Sequence, residues 1–245
     1  FNSSSTELVF MAMELNQWGY DHWYVYQYNL ETGKLTNLVT GSEYNYEDPK
    51  YSPDGNYITM KRRIWKNDDW SYSLVEMNLR TKKIKVLVDN GYENSMPYYS
   101  QDGNRVYYAQ YDGTESQIYS VNRTNLSIKE EYAEQGVYAY YPVVRWSQQE
   151  EVYFSKWESA NNQADKIAKL TSNSFELLPF NTQSGTNYSD ASPVEDQYMI
   201  FSSTENGSYD LYIADCKTGS VWSLDLYAKS INSIGRNELG AHYSN

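Results

Sequence analysis

The stretch YSPDGNYITM, residues 51–60, closes a short strand with an aromatic residue and Ser52, turns through Pro53, Asp54, Gly55 and Asn56, and opens an alternating apolar run. Proline presets φ and glycine supplies a positive φ, so the phrase reads as a tight reversal between two strands. Looser copies begin at Phe1 (FNSSSTELVF), Tyr99 (YSQDGNRVYY), Trp146 (WSQQEEVYF) and Ser192 (SPVEDQYMIF), with a truncated YSN at Tyr243. These anchors are spaced 46 to 51 residues apart, which makes the chain five repeats long.

Each repeat carries one internal grammar. In the second it runs PKYS, a turn PDGN, YITMKRR, a loop IWKNDDW, SYSLVEMNL, a turn RTKK, and IKVLV: four strands and three reversals. Period-two alternation, β-branched and aromatic enrichment, and Asp-Gly or Thr-Gly turns favour strands over helices. In four repeats an Asn or Asp (Asn29, Asn78, Asn122, Asp215) stands just before the third turn, where its side chain can accept local backbone amides.

A lone four-stranded meander cannot bury both faces, whereas copies stacked about an axis bury each against the next, which predicts an all-β, five-bladed β-propeller. A two-sheet sandwich would not need the repeat. The blades are expected at about residues 1–46 plus 238–245, 47–93, 94–139, 140–187 and 188–237, in one domain over 1–245. Residues 1–43 hold the second to fourth strands of a blade and LGAHYS (239–244) reads as a lone first strand. Pairing of that strand into the first blade would close the ring and hide two sheet edges.

Aromatics are 16% of the 245 residues, and 32 acidic against 20 basic residues give a net charge of −12. Such a balance repels nucleic-acid phosphates and anionic membranes. No apolar stretch approaches the roughly 20 residues of a membrane helix, and FNSSSTELVF lacks the segments of a signal peptide, so the chain reads as a soluble, already processed segment. One cysteine, Cys216, excludes an internal disulfide.

The aromatic-Ser-Pro-Asp-Gly turn, the apolar strand after it and the Tyr-x-x-Asp/Asn-x-x-Thr-Gly third strand resemble the TolB-type propeller repeat, a relative of the WD repeat. The resemblance is strong at Tyr51, Ser52, Pro53, Asp54 and Gly55, good at Tyr99, Ser100, Asp102 and Gly103, and eroded from Trp146 and from Ser192 onward. It implies an extracytoplasmic setting (secreted, periplasmic or cell surface), since such repeats occur in periplasmic and secreted binding proteins, in domains gating peptidases and in some polysaccharide lyases. Members usually have six or more blades, and five is a departure.

In such a blade the loops between second and third strands and the loops leading into each innermost strand share one end, the top. Five of the seven tryptophans (Trp18, Trp23, Trp65, Trp70, Trp157) lie in or beside the former. The latter carry tyrosines after a glycine in GSEYNYED, GYENS, GVYAYYP and GTNYSD. Clustered aromatics mark a surface that meets something, or else they cap the core. The candidate ligand-binding set is Trp18, Tyr20, His22, Trp23, Tyr44, Tyr46, Trp65, Trp70, Tyr92, Tyr140, Trp157 and Tyr188, with a carbohydrate or a protein as partner. The leading expectation is a non-catalytic binding module without cofactor or metal.

The enzymatic alternative is a glycosidase or lyase using Asp48, Asp190 and Glu238 at the channel mouth, with Glu47 beside them. The same carboxylates suit calcium, or backbone contacts between neighbouring blades. A structural domain of a larger surface protein is a third option. Two histidines, His22 and His242, and one cysteine cannot build a three-histidine or zinc-knuckle site, and no nucleophile elbow, phosphate loop or dinucleotide fingerprint is present.

Overall fold

The computed structural model describes residues 1–15, 19–41, 43–145, 149–172, 174–226, 231–232 and 236–242. It is all-β, a five-bladed propeller of antiparallel sheets. The first sheet has three strands, β1 (Glu7–Leu15), β2 (Asp21–Asn29) and β3 (Leu35–Asn37). The others have four in simple meander order: β4 (Asn45–Tyr51) to β7 (Ile84–Val88), β8 (Glu93–Tyr99) to β11 (Ile128–Tyr132), β12 (Ala139–Arg145) to β15 (Phe175–Leu177), and β16 (Tyr188–Val194) to β19 (Val221–Ser223). Within these runs, β5 is Tyr57–Lys66, β6 Asp69–Asn78, β13 Glu151–Ser159, β14 Asn162–Leu170, β17 Tyr198–Ser203 and β18 Asp210–Asp215.

The chain packs as two compact units, one of residues 1–113 and 119–129, the other of 114–118 and, among the described residues, 130–242. Period-two alternation gives each blade two buried faces. On β6 of the first unit, Leu74 joins a cluster with Val88, Tyr99, Val106 and Tyr108. Its neighbour Val75 joins a different cluster with Val25, Tyr46, Ile58 and Met60. The second unit is centred on Phe180, Tyr188, Phe201 and Tyr212, with Phe180 and Phe201 stacked at 4.7 Å.

The YSPDGN turn is held by its own side chains. Ser52 Oγ donates to Asp54 (2.5 Å) and accepts the Tyr57 amide (3.0 Å), while Asp54 accepts the Asn56 amide (3.0 Å). Ser100, Asp102, Asn104 and Arg105 repeat this at 2.7, 2.9 and 2.9 Å. Gly55 and Gly103 have φ of 69° and 68°, which a Cβ would strain. Asn29, Asn78, Asn122 and Asp215 accept amides two or three residues on, as their positions predicted.

Each of the four innermost strands among the described residues is bulged. The register breaks between Glu47 and Lys50, Ser95 and Tyr98, Tyr140 and Val143, and Ser189 and Ser192. Within each break one residue is left-handed: Asp48 (φ 55°), Met96 (53°), Tyr141 (52°) and Asp190 (54°). Aligned on the bulge, Val144 rather than Trp146 is the counterpart of Tyr51, and in the fifth blade the counterpart is Pro193, one residue beyond the Ser192 anchor. Trp146 itself lies outside the described residues. Arg145 therefore takes the place of the turn serine and donates to the carbonyls of Asp196 (3.1 Å) and Tyr198 (2.8 Å).

The expected closing strand is described only in part. Residues 236–242 carry no strand, and 243–245 lie outside the described residues. Yet 237–240 repeat the beginning of an innermost strand. Asn237 accepts the Tyr209 amide (3.1 Å), just as Asn187 accepts that of Asp165 (2.9 Å) and Asn45 that of Trp23 (2.9 Å). Gly240 is left-handed (φ 69°), and its amide hydrogen-bonds Asp190.

Candidate functional site

In the first unit the top is built by the β5–β6 hairpin and the segments leading into β4 and β8. Trp65 and Trp70 face each other across the hairpin, edge to face at 5.3 Å. The Arg63 guanidinium lies 4.4 Å over the Trp70 ring and is held by Glu47 at 2.6 Å. Lys61 bridges Glu47 (3.2 Å) and Glu93 (2.5 Å) and lies 5.1 Å over Tyr72. Trp70 is thus pinned, and Trp65 is propped outward with 56% of its surface exposed. Tyr20 (70%) and Tyr92 (44%) are exposed at the same end, and Trp18 lies outside the described residues.

The other aromatics of this unit turn inward. Tyr46 is buried in the core, Tyr44 is half-buried under the Arg62 guanidinium at 4.6 Å, and Trp23 is half-buried. His22 is buried on β2, its ring 4.4 Å from Tyr24. Burial lowers its pKa, against a hydrogen bond to the Tyr44 backbone that raises it. Asp48 accepts the Met96 amide at 3.1 Å; burial pushes its pKa up while that bond opposes the rise.

In the second unit Trp157 stacks on Tyr138 at 4.2 Å, and Tyr188 is buried beneath the Lys166 ammonium at 4.8 Å. Lys166 is spent on the carbonyls of Gln183 (2.6 Å) and Thr186 (2.8 Å). The Tyr140 hydroxyl donates to Asp165. Burial pushes Asp165 up to about 6; the Tyr140 bond opposes this and the nearby Asp190 carboxylate adds to it. Burial likewise raises Asp190, against hydrogen bonds from Ser202, Ser189 and the Gly240 amide. Tyr209 feels both carboxylates and is raised, chiefly by burial. Glu238 donates its backbone amide to the Tyr209 carbonyl at 2.8 Å.

Of the three candidate carboxylates, Asp48 lies in the first unit and Asp190 and Glu238 in the second. Asp165 and Tyr209 carry no sequence signal, because they stand at the start of a third strand or just before it, ahead of the repeating motif that marks its end. Asn45, Asn187 and Asn237 were within reach, since each follows a glycine by two to four residues. Among the described residues no three His, Cys, Asp or Glu side chains group to hold a metal ion, and no helix is long and apolar enough to cross a membrane.

Bulged innermost strands, self-capped turns at Ser52 and Ser100 and antiparallel meanders define a β-propeller. No family model and no curated protein matches the sequence. Among solved structures, TolB from Acinetobacter baumannii is similar at 16% identity and a TM-score of 0.68, over 90% of this chain and 52% of that one. The putative TolB from Agrobacterium tumefaciens is similar at 16% identity and a TM-score of 0.68, over 89% and 80%. An oligogalacturonate lyase in complex with manganese is similar at 16% identity and a TM-score of 0.62, over 91% and 63%. The chain spans about half the length of the Acinetobacter protein. Likeness at this identity establishes the fold.

Proposed function

We propose that the chain is a non-catalytic, extracytoplasmic binding module that takes a protein or a carbohydrate on its aromatic top. The setting rests on the family resemblance. The observation that carries the binding role is Trp65, propped outward by the Glu47, Arg63 and Trp70 stack. About half of an indole of roughly 150–250 Å² left in water forgoes about 2–3 kcal/mol of burial, at roughly 25 cal/mol/Å². A rigid support for such a ring is what a contact surface needs, since little rotamer entropy remains to be lost on binding. Screening the purified chain on glycan arrays and against immobilised candidate proteins tests this. The reading requires a ligand whose binding is lost in Trp65→Ala at an unchanged melting temperature; a panel insensitive to Trp65 would sink it.

The Asp165 and Asp190 cluster favours a second reading, a polysaccharide-cleaving enzyme. Two carboxylates in unlike surroundings suit a division into acid and base. Release of reducing ends or unsaturated products, abolished in Asp190→Asn, would support it over the first.

A further inference from the structure

Three of the four arginines drawn into the blades have a carboxylate partner: Arg63 with Glu47 (2.6 Å), Arg123 with Glu76 (2.5 Å) and Arg145 with Glu151 (3.3 Å). Arg62 has none among the described residues. Its guanidinium lies 4.6 Å over the Tyr44 ring, its Nε donates to Ser73 Oγ at 3.0 Å, and it hydrogen-bonds the Tyr46 side chain. Every one of these partners is neutral. The guanidinium is held over the ring in a half-buried setting, and among the described residues no carboxylate pairs with it directly, the Glu43 carboxylate acting on Tyr46 from a distance. A guanidinium so held presents a planar fork matched to a carboxylate.

The surroundings indicate what carries that carboxylate. Asn45, between Tyr44 and Tyr46, accepts the Trp23 amide, and Trp23 pairs with Met13 on β1. Met13 (48% exposed) and Leu15 (69%) continue this side of the sheet as an apolar row. Flexible thioether and isobutyl groups suit apolar side chains. Trp65 does not serve this place, because Arg62 and Trp65, three apart on β5, point to opposite faces of the blade.

We propose that Arg62 anchors an Asp or Glu carboxylate of an acidic, apolar peptide segment of a protein partner, whose apolar side chains lie on Met13 and Leu15. The proposal rests on the reading of this end as a binding face and assigns it a partner. The net charge of −12 does not forbid an acidic ligand, since charges beyond about 8 Å are screened at physiological salt and the guanidinium dominates locally.

The test is selection of a phage-displayed random decapeptide library on the whole chain, followed by affinity measurements on Arg62→Gln, Arg62→Lys and Trp65→Ala, with alginate as an anionic glycan probe. Selected peptides are expected to share an Asp or Glu beside apolar residues. They lose at least tenfold in affinity on Arg62→Gln and on replacement of the acid by its amide, and weaken with salt. Arg62→Lys keeps the charge without the fork; it is expected to melt like the wild type and still lose affinity, which separates recognition from folding. Failure to enrich peptides, enrichment without acids, or acidic binders indifferent to Arg62→Gln would each overturn the proposal. Alginate binding abolished by Arg62→Gln would overturn the peptide assignment. Ligands lost with Trp65→Ala but not with Arg62→Gln would leave the aromatic-face reading standing and remove this one.

Discussion

The carboxylate of Asp48 accepts the backbone amide of Met96, the residue at its own place in the next blade, at 3.1 Å. Both residues are left-handed members of a bulge, with φ of 55° and 53°. Asp190 does the same for Gly240. A carboxylate thus ties one bulge to the next and satisfies an amide that the broken ladder leaves free. Replacing Asp48 by Ala is expected to cost about 1–3 kcal/mol for the lost bond, the Cβ at positive φ being common to both residues. Asp48→Asn keeps an acceptor and tolerates that conformation, so its denaturant midpoint should fall much less; equal losses in the two variants would contradict the assignment.

Asp165 sets a pH dependence. Its folded value of about 6 stands above the ordinary 3.8 because of burial first. The folded state therefore binds more protons than the unfolded state between these values, so this group's contribution is intact below about pH 4 and is lost as pH rises through about 6. A shift of about two units corresponds to about 3 kcal/mol. Asp165→Asn is expected to flatten this part of the stability profile and to melt above the wild type at pH 8. Tyr140→Phe removes a bond that holds the pKa down, and moves the loss to higher pH. Urea denaturation from pH 4 to pH 8 checks both.

The tryptophans divide by role. Trp157, stacked on Tyr138 at 4.2 Å, belongs to the packing of its blade, and Trp157→Ala is expected to cost about 3 kcal/mol. Trp65, more than half exposed, should cost less than about 1 kcal/mol when changed to Ala. Thermal melts that rank the two variants in the reverse order would place Trp65 in the core.

Arg145 replaces a turn by a side chain. It is buried, lies 5.1 Å from the Tyr153 ring, and serves two carbonyls as well as Glu151. Arg145→Met strands these acceptors and is expected to cost about 3–5 kcal/mol. Arg145→Lys should recover little, because one ammonium cannot span the fork. Full recovery in the lysine variant would show that charge alone matters.

Much of the fold was legible because its signals are local. The Ser52, Asp54 and Gly55 turn, and the Asn78 and Asp215 caps, are made by residues within a few positions of one another, so the side chains that dictate the backbone stand together in the sequence. The bulges have a local signal as well: Pro49, Pro97 and Pro142 each follow the left-handed residue, and proline inside a strand marks a broken ladder. The blade 4 anchor slipped by two residues because Arg145 stands where the motif has Ser52, and an aromatic two positions on imitated the pattern.

The site was legible in residue type and not in direction. Trp65 and Trp157 stand near the ends of equivalent strands, yet one faces water and the other a tyrosine ring, and Tyr46 and Tyr188 look as suited to a surface as Tyr20 while lying in the core. The repeating order of residues was enough to set the strands, the turns and the meander of each blade, because those rest on contacts a few residues apart. Which aromatics are displayed, which carboxylates meet an amide or another carboxylate, and which arginine lacks a carboxylate partner among the described residues depended on neighbours some ten to fifty residues away, and only folding brings those partners together.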